Sequence, residues 1–577
     1  MVFPVPQRIS LSSDRVPASA LQSVDEGIAP DEVTKAQGYR LVVGSDGVVL
    51  RGHDEAGLFY GRQTLAQLRD GAGETLPCLT IEDWPDLLVR GYMLDVSRDR
   101  VPTMATMKSL IDKLSQLKFN QLQIYTEHTI AYAGHEAVWK DASPITFAEF
   151  AELEAYCRER FIELVPCQNV FGHMERWLTQ PEYEHLAETL DGWDTPWGFR
   201  NPAPNSLDPS DPASFALSAD LIGQLATHSA SPLLNIGCDE TNDIGQGKSK
   251  ARVEREGRAA VYLDYLKRLC AEVAKHGKTP MFWGDIVLDH PELIPQLPED
   301  AVLLNWWYEA DHDWMGQSKK FTEAGVRFYV CPGTSSWCTL TGRGQNAVDN
   351  CREAAEAGVA HGAEGMLITD WGDHGHWQPF VISWPGLIYG AGVGWALEAN
   401  RSTADLPHWI SRIGLDEPTD ELGQIVWELS NVYAESVARI SNATWWFHVY
   451  QWCTEPWTNH PRSQVSAEDV QRVTAAFARV EEALAAYEPS DEASALRKRE
   501  LAWCVAIAQW AVARSPHAKA PGNHTGIRGD GRPTSAEAEV KALIETYRSL
   551  WLAGCRPGGL KDSVHKLRGV LRDDARA

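Results

Sequence analysis

The 577-residue chain has no run of 18 apolar residues, and so no segment able to cross a bilayer as a helix. It also lacks an excess of positive charge. Against 79 Asp and Glu stand 53 Lys and Arg, and a net charge of −26 repels nucleic-acid phosphates and anionic lipid. The partner expected is a small neutral molecule, with no nucleic acid and no membrane. Met1 to Leu11 has neither the basic stretch nor the apolar core of a secretory signal, which predicts a cytoplasmic protein. None of the eleven cysteines forms a CxxC pair or sits at metal-binding spacing with His, which predicts reduced, mostly buried thiols rather than a disulfide framework. Internal repeats and low-complexity tracts are missing too. What is abundant is Trp: the 23 indoles offer core volume and flat apolar platforms.

At this length several domains are expected, and the composition, 44% hydrophobic and 23% charged, is that of a globular protein. Tyr39 to Val43, a Ser45-Asp46-Gly47 turn and Val48 to Arg51 read as a hairpin. Leu58, Gly61, Leu65 and Leu68 then give Glu55 to Arg69 one helical face. Residues 1–86 are read as a small α+β domain. From Arg90 short apolar runs alternate with helical stretches: Arg90–Val96, Gln121–Tyr125, Ile162–Pro166, Leu233–Gly237, Pro280–Trp283, Val302–Trp306, Arg327–Cys331 and Gly365–Thr369. Eight alternations, each strand apolar on both faces, predict a (β/α)8 TIM barrel over residues 87–395. Beyond it strand signals fade. Ser466 with Asp469 opens a helix whose Val470, Val473, Phe477, Val480, Leu484 and Tyr487 share a face. A Gly/Pro-rich break around Pro521 to Pro533 precedes a last helical pair. Residues 396–577 are read as an α-helical domain that closes the rim of the barrel or pairs two subunits into a homodimer.

In such a barrel chemistry sits at the C-terminal strand ends, so the residues after each run matter most. The fourth run closes as Asn235-Ile236-Gly237-Cys238-Asp239-Glu240. Neighbours on a strand point to opposite sides, so this pair is not expected to face across one bond as acid and nucleophile do in the standard retaining glycosidase. The bland reading is a solvated acidic turn; the barrel position favours a functional pair.

These residues resemble glycoside hydrolase family 20, the β-N-acetylhexosaminidases, whose fourth strand carries a His-x-Gly-Gly-Asp-Glu pattern. The likeness extends to Asp83-Trp84-Pro85 before Arg90-Gly91-Tyr92-Met93-Leu94-Asp95-Val96-Ser97-Arg98, to Leu58 through Leu65, to Gly172-His173 and to Trp371-Gly372-Asp373. Asn235 stands where the family has His, and Cys238 where it has the second Gly; Ile-Gly-Cys-Asp-Glu is similar to the hexosaminidase D-like branch. The resemblance implies an exo-acting, retaining enzyme for terminal β-linked GalNAc or GlcNAc, with the galacto epimer preferred. It implies that the substrate's own acetamido oxygen is the nucleophile, with Glu240 as acid and base and Asp239 holding the acetamido N–H.

The remaining candidates each have a structural alternative. Arg90 would fork onto sugar hydroxyls or sit in an ion pair at the barrel bottom. His173 would bond a hydroxyl, orient a carboxylate, or be structural. Trp283, Trp307 and Trp371 would wall the acetamido and sugar faces or belong to the core. Glu127, His128 and Asp373 would reach the 4- and 6-hydroxyls or be solvated loop residues. The family's acetamido-binding Tyr has no obvious counterpart; Tyr308 or Tyr329 is assigned the role. His374 and His376 lie near Asp370 and Asp373, yet no metal and no cofactor is expected. Two other functions fit the same chain: a carbohydrate-binding barrel without catalysis, and a glycosidase for sugars lacking the acetamido group.

Overall fold

The structure is a computed structural model, and it describes residues 2–453, 461–517 and 536–569. The segment around Pro521 to Pro533 lies outside these residues.

The first layer is a five-stranded sheet in the order β1-β5-β3-β4-β2, built from Arg8–Pro17, Val24–Ile28, Tyr39–Gly44, Gly47–Gly52 and Thr75–Asp83 as β1 to β5. The turn at Ser45-Asp46 closes because Gly47 takes a φ of +116°. Helix Glu55–Asp70 packs across this sheet; Asp54 caps it by accepting the Gly57 N–H at 2.7 Å.

Eight parallel strands then close a barrel: β6 Val89–Asp95, β7 Gln121–Thr126, β8 Glu163–Gln168, β11 Leu233–Asn235, β12 Thr279–Trp283, β13 Val302–Trp306, β14 Arg327–Cys331 and β15 Gly365–Asp370. All eight expected runs lie in it. β9 (Trp193–Asp194) and β10 (Arg200–Asn201) form a separate hairpin in the loop after β8. The barrel strands are apolar on both faces because side chains fill the interior while helices such as Arg258–Lys275 and Gly344–His361 cover the outside.

After the helix Trp384–Trp395 the chain is helical, as its pattern predicts. Ser466 and Asp469 form a reciprocal capping box at the start of Ala467–Ala486, and Val470, Val473, Phe477, Val480 and Leu484 are its buried face. These helices have no core of their own: one apolar cluster runs from the barrel through Trp409, Trp446, Phe477, Trp503 and Trp551. The last described helix, Leu560–Leu567, lies on the barrel top, where Ser563 and Lys566 reach Asp99 at 3.1 and 3.2 Å. Among the described residues no helix is long and apolar enough to cross a membrane.

A buried ion pair ties the small sheet to the barrel bottom. Lys118 Nζ lies 3.0 Å from Asp83 Oδ2, both side chains wholly inaccessible, and Tyr39 donates its hydroxyl to the same oxygen at 2.7 Å. The Lys118 ammonium also sits over the Trp395 ring at 4.3 Å. Removing one charge strands the other in a dry seam. Lys118→Met is therefore expected to lower stability by about 3–5 kcal/mol. Adding Asp83→Asn should recover part of that loss in urea unfolding, whereas a purely additive double variant would show that the pair does not hold the seam.

Candidate active site

At the C-terminal mouth, β11 ends at Asn235 and the chain turns sharply. Gly237, Cys238 and Glu240 take φ values of +70°, +72° and +48°. Gly237 is required, since a Cβ there would collide with the Asn169 side chain. Asn169 in turn accepts the Cys238 N–H at 3.1 Å and donates to Asp239 Oδ1 at 2.6 Å. Glu240, a non-glycine held in the left-handed region, donates its N–H to Asp285 Oδ2 at 2.9 Å, and its carbonyl accepts from Asn205 at 3.0 Å.

This turn overrides strand alternation. Asp239 and Glu240 converge on one imidazole, with His173 Nε2 3.2 Å from Asp239 Oδ2 and 3.5 Å from Glu240 Oε2. The expectation that the two carboxylates point apart fails because neither belongs to the strand. They line the same side of the pocket.

Their protonation differs. Burial drives the Asp239 carboxyl up, but the charge and hydrogen bond of His173, with Asn169 behind, hold it below the usual carboxylate range. Burial would discharge His173, yet Asp239 above all, with Glu240, pushes it up to about 10. Glu240 is pushed up to about 6, by burial first and by the Asp239 and Asp373 charges against the pull of His173. Asp285, buried beside them with Oδ1 unpartnered, is held well above the carboxylate range by burial and by Asp239.

The other wall is built on Arg98, which follows β6. Its guanidinium lies 3.0 Å from Glu127, 3.4 Å from Asp95 and 3.8 Å from Asp373, and stacks over the Tyr125 and Trp371 rings. Tyr125 donates its hydroxyl to Glu127 at 2.9 Å. Asp95 is wholly buried and accepts the N–H groups of Ser97, Arg98 and Gly372, locking the ends of β6 and β15 together. Trp371 meets Trp283 at 5.8 Å and donates its indole N–H to the Tyr308 hydroxyl at 2.7 Å.

The structure thus brings together Glu127, His173, Trp283, Tyr308, Trp371 and Asp373 with the Asp239-Glu240 pair. Four other assignments do not fit. Arg90 opens β6 at the bottom of the barrel, and its five N–H donors go to Lys118 O, Leu87 O, Leu88 O, Gln37 Oε1 and the Tyr60 hydroxyl. His128 turns into a separate cleft with Asp99, Val138, Arg176 and Asp562, where burial pushes its pKa down to about 3. Trp307 is 41% exposed and stacked on His312 at 4.8 Å; its neighbour Trp306 packs on Tyr308. Tyr329 bonds Gln121 at the opposite end of the barrel from Tyr308. Arg98, Asn169 and Asp285 follow the first, third and fifth strands, where barrel chemistry is expected, but the sequence alone assigns them no role.

A closed barrel with adjacent carboxylates whose pKa values are pushed in opposite directions, an imidazole between them and indole walls has the parts for acid-assisted cleavage of a small ligand. Residues 4–84 match domain 2, and residues 89–385 the catalytic domain, of glycosyl hydrolase family 20. The chain belongs to that family. It is 28% identical to a beta-hexosaminidase of Akkermansia muciniphila over 323 residues, 50% of this chain and 63% of the relative. To Hexosaminidase D of Homo sapiens it is 25% identical over 302 residues, 48% of this chain and 59% of the relative. The chain thus spans about three fifths of the length of these relatives. The Streptomyces plicatus N-acetyl-beta-hexosaminidase superposes with a TM-score of 0.54 at 21% identity, over 74% of this chain and 95% of that one, which shows the shared fold.

The two arginines separate experimentally. Arg98→Met is expected to lower the kcat/KM of the folded fraction by about 10²-fold or more, on the scale of losing a charged hydrogen-bond donor, and, since it strands Asp95 and Glu127, to lower the melting temperature too. Arg90→Met should lower the melting temperature alone, with the folded fraction keeping its kcat/KM. Kinetics and thermal unfolding on both variants check this, and an intact kcat/KM in Arg98→Met would remove Arg98 from the site.

Proposed function

We propose that the protein is an exo-acting β-N-acetylhexosaminidase that removes terminal β-linked GlcNAc or GalNAc with retention of configuration. The observation that carries this reading is the turn that brings Asp239 and Glu240 onto one imidazole, nearer to Asp239, which favours the Asp239 carboxylate while burial pushes Glu240 up to about 6.

Glu240 donates its proton to the glycosidic oxygen as the bond to C1 breaks. The carboxylates facing the pair among the described residues, Glu127 and Asp373, are drawn to Arg98, Glu127 also accepting from Tyr125, which disfavours either as the nucleophile. The substrate's acetamido carbonyl oxygen attacks C1 instead, closing an oxazolinium ring. Asp239 accepts the acetamido N–H and offsets the positive charge that builds there. The alcohol leaves, and the Glu240 carboxylate takes a proton from the water that opens the ring, regenerating the acid. Tyr308, whose oxygen already accepts the Trp371 N–H, keeps its own proton for the acetamido carbonyl, and Trp283 and Trp371 wall its methyl. Arg98 with Glu127 and Asp373 holds the sugar hydroxyls.

Terminal β-GalNAc is the preferred epimer in this reading. A site whose buried donors and acceptors meet an axial 4-hydroxyl leaves them unpaired when that hydroxyl is equatorial. A clear GlcNAc preference, unaltered in Glu127→Ala and Asp373→Ala, would remove both the epimer assignment and these contacts. The eleven free thiols, nine of them buried, support a reducing compartment as the place of work.

The decisive assay compares nitrophenyl β-glycosides with and without the 2-acetamido group. Turnover only with the acetamido supports the proposal; equal turnover of both points to a glycosidase with its own nucleophile, and none to a binding protein. Glu240→Gln is expected to depress alkyl glycosides far more than nitrophenyl ones, whose leaving group needs little protonation. Asp239→Asn should cost on the order of 10² to 10³-fold on both.

The pH profile follows from the same groups. Glu240 must be protonated, so kcat/KM falls as pH rises through about 6. Asp239 must be ionised, and its lowered pKa places the acid limb below the usual carboxylate range. Asp239→Asn removes a charge that raises Glu240, so its alkaline limb should move to lower pH. An unmoved limb would assign it to another group.

A further inference from the structure

The catalytic cluster makes no use of the hairpin β9/β10. Trp197 at its tip is 59% exposed and Phe199 is 40% exposed, with their rings stacked 6.2 Å apart at 22°. Two adjacent exposed rings on a stiff hairpin make an apolar platform, and its place in the barrel says what it faces.

The root of the hairpin hangs from the segment that carries Glu240. Asp194 donates its N–H to Gln246 Oε1 at 2.8 Å, and Gln246 Nε2 donates to Asp194 O at 3.0 Å and to Asn242 O at 3.1 Å. Asn242 N–H in turn bonds Glu240 O at 2.7 Å. The tip reaches the other way. Phe199 meets Trp452 edge-on at 5.2 Å, and Trp452 follows the helix Trp445–Gln451. That helix is fixed to the loops after β14 and β15 by Trp446 Nε1 on Thr339 O at 2.8 Å and by Gln451 with His374 at 2.6 Å. Around the closed barrel β8 and β14 lie four strands apart, on opposite sides. A contact between elements rooted on those two sides bridges the rim of the mouth, so the aromatic tip belongs to that rim and is joined to the acid's own segment.

We propose that the Trp197–Phe199 platform receives the sugar ring on the leaving-group side of the scissile bond, so that this hairpin decides which linkages are cleaved well. This rests on the hydrolase reading above. Glu240 protonates the leaving oxygen, so the leaving group is the part of the substrate nearest that segment. The C–H face of a pyranose covers an aromatic ring without needing charge. The hairpin's own charges, Arg200 and Asp194, neutralise each other at 3.1 Å, which suits an uncharged ring.

The test compares methyl β-glycosides of GlcNAc and GalNAc with disaccharides in which the same sugars are β-1,3-, β-1,4- or β-1,6-linked to galactose or to GlcNAc. Methanol and a sugar alcohol need similar protonation, so the ratio of their kcat/KM values reports the added ring. In Trp197→Ala that ratio is expected to fall about three- to tenfold for at least one linkage, the scale of one aromatic contact, and Trp197→Tyr should restore it. A ratio unchanged for every linkage overturns the subsite. So does an unchanged ratio together with a smaller sedimentation coefficient, which would assign the platform to a second copy of this chain. A wild-type protein that turns over the methyl glycosides but no disaccharide overturns the subsite alone; one inert on both sinks the hydrolase reading and the subsite with it.

Discussion

Two carboxyl groups adjacent in sequence and buried in one pocket repel too strongly to ionise together unless positive charge is placed between them. The architecture of the mouth answers to that constraint. His173 stands within reach of both, and because it lies nearer Asp239, with Asn169 on the other side, the charge settles on Asp239. Glu240, pushed up to about 6, is the partner that takes a proton first as pH falls. Arg98 provides the second positive centre and draws Glu127 and Asp373 away from the pair.

Holding this arrangement demands an unusual backbone. Three left-handed residues within four positions need external restraint, and three different elements supply it. Asn169 comes from the end of β8, Asp285 from the turn after β12, and Tyr262, whose hydroxyl bonds Cys238 O at 3.1 Å, from the helix Arg258–Lys275. The pocket is therefore a property of the closed barrel, since no single βα unit holds more than part of the turn.

The barrel was legible because its strands, buried on both faces, read as bare apolar runs between helical patterns, and the Asp239-Glu240 pair because it closed one of them. What escaped was orientation. Arg90 and Arg98 bracket the same strand, both can fork onto hydroxyls, and only Arg98 stands at the end where barrel chemistry is expected. Glu127 and His128, or Trp306 and Trp307, are neighbours leaving a strand, and which of each pair enters the pocket depends on a loop twist that leaves no periodicity behind. Cys238 and Glu240 in left-handed conformations carry no compositional mark, as only Gly237 does. The helices after residue 396 show their own amphipathic faces clearly, yet their sharing of the barrel's core rests on contacts hundreds of residues apart.

Those long-range contacts bear on the order in which the molecule can be made. Arg98 follows the first barrel strand, and the residue beside it, Asp99, is gripped by Arg176 and then by Ser563 and Lys566 of the helix Leu560–Leu567. During synthesis the first strand leaves the ribosome hundreds of residues before its clamp, so the mouth stays unfinished while most of the chain is already outside. The acid turn is thus made long before the helix that clamps Asp99, so closing the eighth strand does not by itself finish this side of the rim.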